Sequence, residues 1–318
     1  MASKIQASDR VQVNFKSGNA KTAFIRKYFA LYLISVPGII FFLLFKYVPL
    51  LGSVIAFQDY NIFKGITGSE WIGLANFKRM FEYTEFITIL KNTLLIGLYD
   101  LVFAFPVPII LALLLNELRI MAYKRIIQTV VYMPHFLSWV IVGGIVVGLL
   151  SPTTGFVNQI LSTFGIEPIY FLGDNSYIRT ILIGSGVWKD SGWGTIIYLA
   201  AIAGINPDLY EAAQIDGASR WRQTFSITLP TILPTITILL LLHMGNFLDF
   251  GFERVYIFLN PLNSENGEIL DTYVYRAGLV DRQYSYTTAI GLFKSLVGLM
   301  LIVIGNTFSK KATGDGLY

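Results

Sequence analysis

The sequence predicts an all-α, polytopic membrane protein of six transmembrane helices, and three observations carry that expectation. First, 54% of the 318 residues are hydrophobic and only 14% are charged, where an average soluble protein carries roughly 25% charged residues. Second, the apolar residues fall in long runs, and a helix needs roughly 20 consecutive apolar residues to cross the hydrocarbon core. Third, Lys and Arg gather on alternate loops, the bias that orients membrane proteins. Cysteine is absent, which excludes disulfides, thiolate metal sites, thiol nucleophiles and Cys-linked lipid anchors.

A polar, basic tail occupies residues 1–27. The first apolar run, within 28–57, holds Pro37 and Pro49 and is followed by no small-residue cleavage site. It is read as an uncleaved first span rather than a signal peptide. Prolines are tolerated there because neighbouring groups in a bundle satisfy the freed backbone. In residues 58–91, Trp71, Phe77, Phe81, Tyr83 and Phe86 alternate with Lys78, Arg79, Glu82 and Glu85. That composition suits short amphipathic helices lying at the outer membrane surface.

The core, residues 92–308, holds the other five spans. The second is expected from about Thr93 to Leu115 and the third from about Ile126 to Leu150. A Gly/Pro/Asn-bearing loop, Ser151 to Tyr177, leads to the fourth, about Ile178 to Ile205. A polar loop at 206–230 precedes the fifth, which starts near Thr231 with Pro230 and Pro234 in its first turn, where proline is accepted. A long polar loop, Asn260 to Tyr286, leads to the sixth, about Ala289 to Phe308, and a short tail, 309–318, ends the chain.

Six spans put both termini on one side. That side, with the 119–125 and 206–230 loops, carries 13 Lys and Arg residues; the other carries 8 over longer segments. The expectation is a plasma-membrane protein with both termini and the 206–230 loop in the cytoplasm.

The 206–230 loop is the most informative stretch. Asn206 is placed to cap a short helix with Pro207 at its first position. Asp208 and Glu211 fall in the first turn, where carboxylates suit the helix dipole. Gly217 ends that helix in a bend that glycine adopts cheaply. A second short helix carries Trp221 and Phe225, four apart and so on one face. The expected product is a helix-bend-helix projecting from the membrane with aromatic knobs.

Glu211, Ala212, Ala213, Asp216, Gly217 and Ala218, followed by Ile227, Leu229 and Pro230, resemble the EAA loop of permease subunits of binding-protein-dependent ABC importers. Trp71 to Phe77 and Lys91 to Leu94 are similar to the same family, and Trp188, Gly192, Trp193 and Tyr198 to Gly204 are similar to its sugar-importer branch. Gly251-Phe252-Glu253, Leu259-Asn260-Pro261 and Asp271 to Tyr275 are similar to its LplB-like carbohydrate branch. The resemblance implies a type I importer transmembrane domain, a permease of oligosaccharides with no catalysis of its own. It implies a second permease subunit, an extracellular solute-binding protein and a pair of cytoplasmic ATPase subunits that hold the ATP and Mg and grip Glu211 to Phe225. No cofactor is expected in this chain.

Polar residues inside apolar runs are the remaining candidates. Lys189 and Asp190 interrupt the fourth span, and a mid-bilayer charge costs ~2.5–3.5 kcal/mol on insertion scales. Two readings stand: they line the substrate path, or they form a packing ion pair. Asn246, Asp249 and Glu253, spaced three then four, are expected to share one helix face beside Phe250, Phe252 and Tyr256. That set suits sugar hydroxyls and sugar C–H faces, or hydrogen bonding between subunits. His243 is read as a satisfied bundle residue, and no metal site is expected because the other His, His135, lies in another span. Gly143, Gly144, Gly148, Gly184 and Gly186 are read as close-packing positions.

No phosphate loop, G-x-S-x-G elbow or H-E-x-x-H is present. The basic residues are not patterned with stacking aromatics, so no nucleic acid is expected. An alternative reading is an ion-coupled secondary transporter with Lys189, Asp190 and Asp249 as relay. A third is an enzyme on lipid-linked sugars with Asp249 and Glu253 as its carboxylate pair.

Overall fold

The computed structural model describes residues 20–313, which divide into two compact units meeting at Val54 and Ile55. The parts of the predicted tails at 1–19 and 314–318 lie outside the described residues. In the first unit the chain runs as a helix from Ala20 to Phe42 and on through a π-turn, Leu43–Tyr47. Its apolar side chains, Phe29, Leu33, Phe41 and Phe45 among them, are exposed all round. A helix that is apolar on every side belongs in lipid.

Among the described residues, four helices are long and apolar enough to span a membrane: Tyr28–Phe57, Thr84–Glu117, Arg220–Gly245 and Tyr284–Thr307. A fifth is a broken pair, Met121–Phe136 and Trp139–Leu150, bent by 107°. Ile178–Ala203 has the length, 26 residues, but is too polar to count on composition. Against the expected six, the helices long and apolar enough to span number four, or five with the broken pair counted as one span.

Three boundaries differ from the apolar pattern, each for a physical reason. The second span begins at Thr84 rather than Thr93 and extends for 34 residues, because Phe86 and Ile89 bury against Leu270, Tyr273 and Tyr286 of a later segment. The third span is not straight. Pro134 sits in a 3-10 turn, Met133–Phe136, and Ser138 restarts the helix by accepting the Ile141 N–H at 3.3 Å. The fifth span begins at Arg220 rather than Thr231 and leaves Pro234 inside the helix.

Prolines explain three of the four π-turns among the described residues. Leu43–Tyr47, Asp100–Ala104 and Thr224–Thr228 each end one residue short of a proline: Pro49, Pro106 and Pro230. A proline clashes with the carbonyl four residues back and cannot donate to it. Widening the preceding turn carries that carbonyl clear. The bond that closes each turn then spans five residues, as from the Phe105 N–H to the Asp100 carbonyl at 3.0 Å.

The segment expected to be a polar outer loop, Asn260 to Tyr286, is largely folded. It holds helices Ser264–Gly267 and Leu270–Tyr275 and a π-turn, Arg276–Val280. Ile269, Leu270 and Tyr273 are buried. Arg276 binds Glu268 at 3.0 Å and Glu85 at 2.6 Å. Glu268 first, then Glu85, hold its guanidinium charged, raising its pKa.

Three buried clusters make the core of the second unit. One joins Met80, Phe86 and Tyr286; one joins Ile96, Leu182 and Val255; one joins Ala112, Tyr198, Ile202 and Ile232. The last also takes up Tyr210 and Ile227, so the base of the 206–230 loop is anchored in the span bundle.

Candidate functional site

The loop folds as its sequence dictates. Asn206 Oδ1 accepts the Asp208 N–H at 3.1 Å, Pro207 opens the helix, and Pro207–Ile215 carries Glu211, Ala212 and Ala213. At its end Gly217 adopts φ 74°, the Ala218 N–H reaches the Ala213 carbonyl at 2.8 Å and the Gly217 N–H reaches Gln214 at 3.0 Å. This pair of bonds is the glycine-terminated cap that closes a helix and reverses the chain. A Cβ on Gly217 would meet no atom within 4 Å, so the glycine is required by its backbone angle alone. Ser219 starts the next helix by accepting the Arg222 N–H at 3.4 Å. Trp221 and Phe225 stack at 6.1 Å, 70% and 59% exposed, while Glu211 and Asp216 face solvent and Ile215 is 87% exposed. The rings also border a 570 Å³ apolar groove whose far wall is Ile109, Leu113 and Leu114 of the second span.

The helix after this bend continues without a break into the fifth span. Tyr210 and Thr228 hydroxyls meet at 2.8 Å, tying the first loop helix to that span. Glu117, the last residue of the second span's helix, accepts from Arg220 Nη1 at 3.2 Å and Thr224 Oγ1 at 3.5 Å.

Deeper in the bundle lies a cavity of about 390 Å³. Its wall includes Asp100, Asp190, Tyr198, His243, Asn246 and Arg254. Arg254 donates to Asp100 Oδ1 at 2.9 Å and twice to the Leu182 carbonyl, at 3.1 and 2.8 Å. His243 Nε2 stands 3.5 Å from Asp100 Oδ2. A Cβ on Gly186 would overlap the Arg254 guanidinium, and one on Gly143 would overlap Ile257. Gly144, Gly148 and Gly184 meet nothing within 4 Å, so the close-packing expectation holds at two of the five glycines.

Of the five expected path residues, the structure brings two to this cavity, Asp190 and Asn246. Lys189 is turned away: its Nζ donates to the His135 carbonyl at 2.7 Å and lies 5.6 Å from the Trp139 ring. It satisfies a carbonyl freed where the third span breaks. Asp190 Oδ1 sits 3.1 Å from His135 Nδ1, and His135 stacks on Trp193 at 4.7 Å. Asn246, Asp249 and Glu253 do not share a helix face. The helix stops at Gly245, and Gly251, at φ 78°, starts a separate short helix, Phe252–Tyr256. Asp249 faces Lys294 at 3.7 Å beside a second cavity with Asp271 and Tyr275, and Lys294 also binds Asp271. Glu253 is exposed.

Sequence reasoning missed Asp100 and Glu117. Asp100 carries a readable signal, a carboxylate within the apolar run Thr93 to Leu115. Glu117 carries none, since a charge at a span end is ordinary.

Residues 87–313 match the family described as the binding-protein-dependent transport system inner membrane component. The polygalacturonan/rhamnogalacturonan transport system permease protein YteP of Bacillus subtilis (strain 168) is 52% identical over 288 residues, 91% of this chain and 90% of that one. Protein LplB of the same organism is 48% identical over 91% of each. Among solved structures, a chain of a bacterial alginate ABC transporter, in complex with an alginate pentasaccharide-bound periplasmic protein, superposes with a TM-score of 0.86 at 42% identity. That match covers 93% of this chain and 99% of the other. Fold, loop and relatives agree: this chain belongs to the inner-membrane permease family of binding-protein-dependent ABC importers.

Proposed function

We propose that this chain is one of two permease subunits of an ATP-driven importer of oligosaccharides, and that its substrates are fragments of acidic polysaccharides. The exposed helix-bend-helix at 206–230, fixed at its base to two spans, is the observation that carries this reading. An extracellular binding protein delivers the sugar. A cytoplasmic ATPase pair, holding ATP and Mg, grips Glu211, Ala212, Ala213, Asp216, Gly217 and Ala218, with Trp221 and Phe225 at the margin. Closure of that pair moves the loop, and the spans turn as rigid bodies to expose the cavity alternately to each side. Both termini and the loop face the cytoplasm.

Within the cavity, Asp190 and Asn246 offer an acceptor and an amide to sugar hydroxyls. Arg254 at this wall is already neutralised by Asp100. The relatives named for polygalacturonan/rhamnogalacturonan and alginate transport support the acidic substrate class. Nothing supports the ion-coupled alternative.

The test is uptake of radiolabelled trigalacturonate into proteoliposomes holding the permease pair, the ATPase and the binding protein. Uptake should require ATP. Glu211→Ala and Gly217→Val should keep ATP hydrolysis while losing uptake. Uptake sustained by a proton gradient without ATP, or full coupling in both variants, overturns the reading.

A further inference from the structure

Glu117 and Arg220 each sit at the wrong end of a helix. Glu117 is the last residue of Pro106–Glu117, and Arg220 is the first of the helix leading into the fifth span. A carboxylate at a C-terminus and a cation at an N-terminus both oppose the helix dipole, where the reverse placement is favourable. Neither charge serves its own helix. Each is accounted for by the other, at 3.2 Å. The pair is half exposed, and exposed pairs contribute little to stability. Its value is therefore positional.

What it positions follows from the rest of the second span. Seventeen residues before Glu117, about 25 Å along the helix, Asp100 is held by Arg254 and His243 at the cavity wall. Gly97 lets the Phe247 carbonyl approach so closely that a Cβ there would lie 2.8 Å from it. The second span is thus fastened to the 220–254 segment at both its inner end and its middle. Two routes run from loop to cavity, and both are interrupted: the fifth span by the Thr224–Thr228 π-turn, Pro230 and Pro234, the second span by the Asp100–Ala104 π-turn, Pro106 and Pro108. Each of these interrupts the helical hydrogen bonding.

We propose that Glu117 is a positioning residue of the coupling machinery. It locks the loop to the second span, so that loop movement reaches the Asp100 wall of the cavity through the second span as well as through the fifth. The proposal rests on the reading that the ATPase grips this loop.

The chain has no cysteine, so spin labels are placed at Gln214→Cys and Arg119→Cys in the assembled transporter. In the wild-type background the distance between labels stays the same in the nucleotide-free and ATP–vanadate-trapped states. Glu117→Gln lets it change by more than about 2 Å, the size of a helix shift. The double exchange Glu117→Arg with Arg220→Glu restores the fixed distance, and it also puts each charge at its favoured helix end. A distance that changes in the wild type, one that stays fixed in Glu117→Gln, or a double exchange that behaves like the single variant overturns the proposal. A Gln214 label whose mobility does not change on adding the ATPase sinks the gripping reading instead, whatever Glu117→Gln does.

Discussion

The 206–230 loop and the Asp100–Arg254 cluster both depend on charged residues, and they are built in opposite ways. In the loop, Glu211 and Asp216 point into solvent, and the bend is specified by neighbours within a few residues, Asn206, Gly217 and Ser219. In the cluster, every charge is buried and answered by a residue far along the chain, as Asp100 is by Arg254 across 154 positions. A local device survives changes elsewhere and presents itself to a partner. A buried long-range device holds the spans together and tolerates no lost member.

That contrast is broken or sharpened most strongly at Arg254. Replacing it by alanine strands the Asp100 carboxylate and should cost about 3–5 kcal/mol, read as loss of folded protein in a detergent thermal-unfolding assay. An Arg254→Ala protein as stable as wild type removes the claim that the cluster holds the bundle. Next is Lys189→Ala, which leaves the His135 carbonyl at the broken span unanswered and should cost about 1–3 kcal/mol. Uptake by the protein that does fold should keep its substrate preference. A changed preference with unchanged stability moves Lys189 from scaffold to path. Last is Arg276→Ala in the 260–286 segment, which releases the exposed Glu85 but leaves the buried Glu268 carboxylate without the guanidinium that binds both its oxygens. About 1–2 kcal/mol is expected, because Glu268 is buried while Arg276 itself is partly exposed, and a loss of about 3–5 kcal/mol in denaturant titration means that this clasp behaves like the buried cluster.

The sequence made the loop legible almost residue by residue, because capping, bending and stacking are decided over short distances. The spans were legible as apolar runs. Their interruptions were not. The apolar pattern runs unbroken across Leu137 and Ser138, where the chain turns by 107°, because both halves remain in the bundle. The three carboxyl and amide groups at 246–253 obeyed helical spacing, yet Gly251 reverses the backbone between them. Helical spacing is informative only while the helix lasts. Lys189 and Asp190 were visible as charges in a span, but adjacent residues on a helix point in different directions. One went to a backbone carbonyl and the other to the cavity.

The widened turns before Pro106 and Pro230 have a consequence for chemical mapping. Each adds one residue to a helical turn, and one residue is about 100° of rotation. A row of positions that faces lipid ahead of Asp100 is carried round toward the interior beyond Ala104, and the same phase slip falls between Gln223 and Leu229. Solvent-accessibility scans along either span should therefore show a periodic pattern that jumps by one position at these places. A wheel drawn through the whole helix will assign half of its residues to the wrong neighbour.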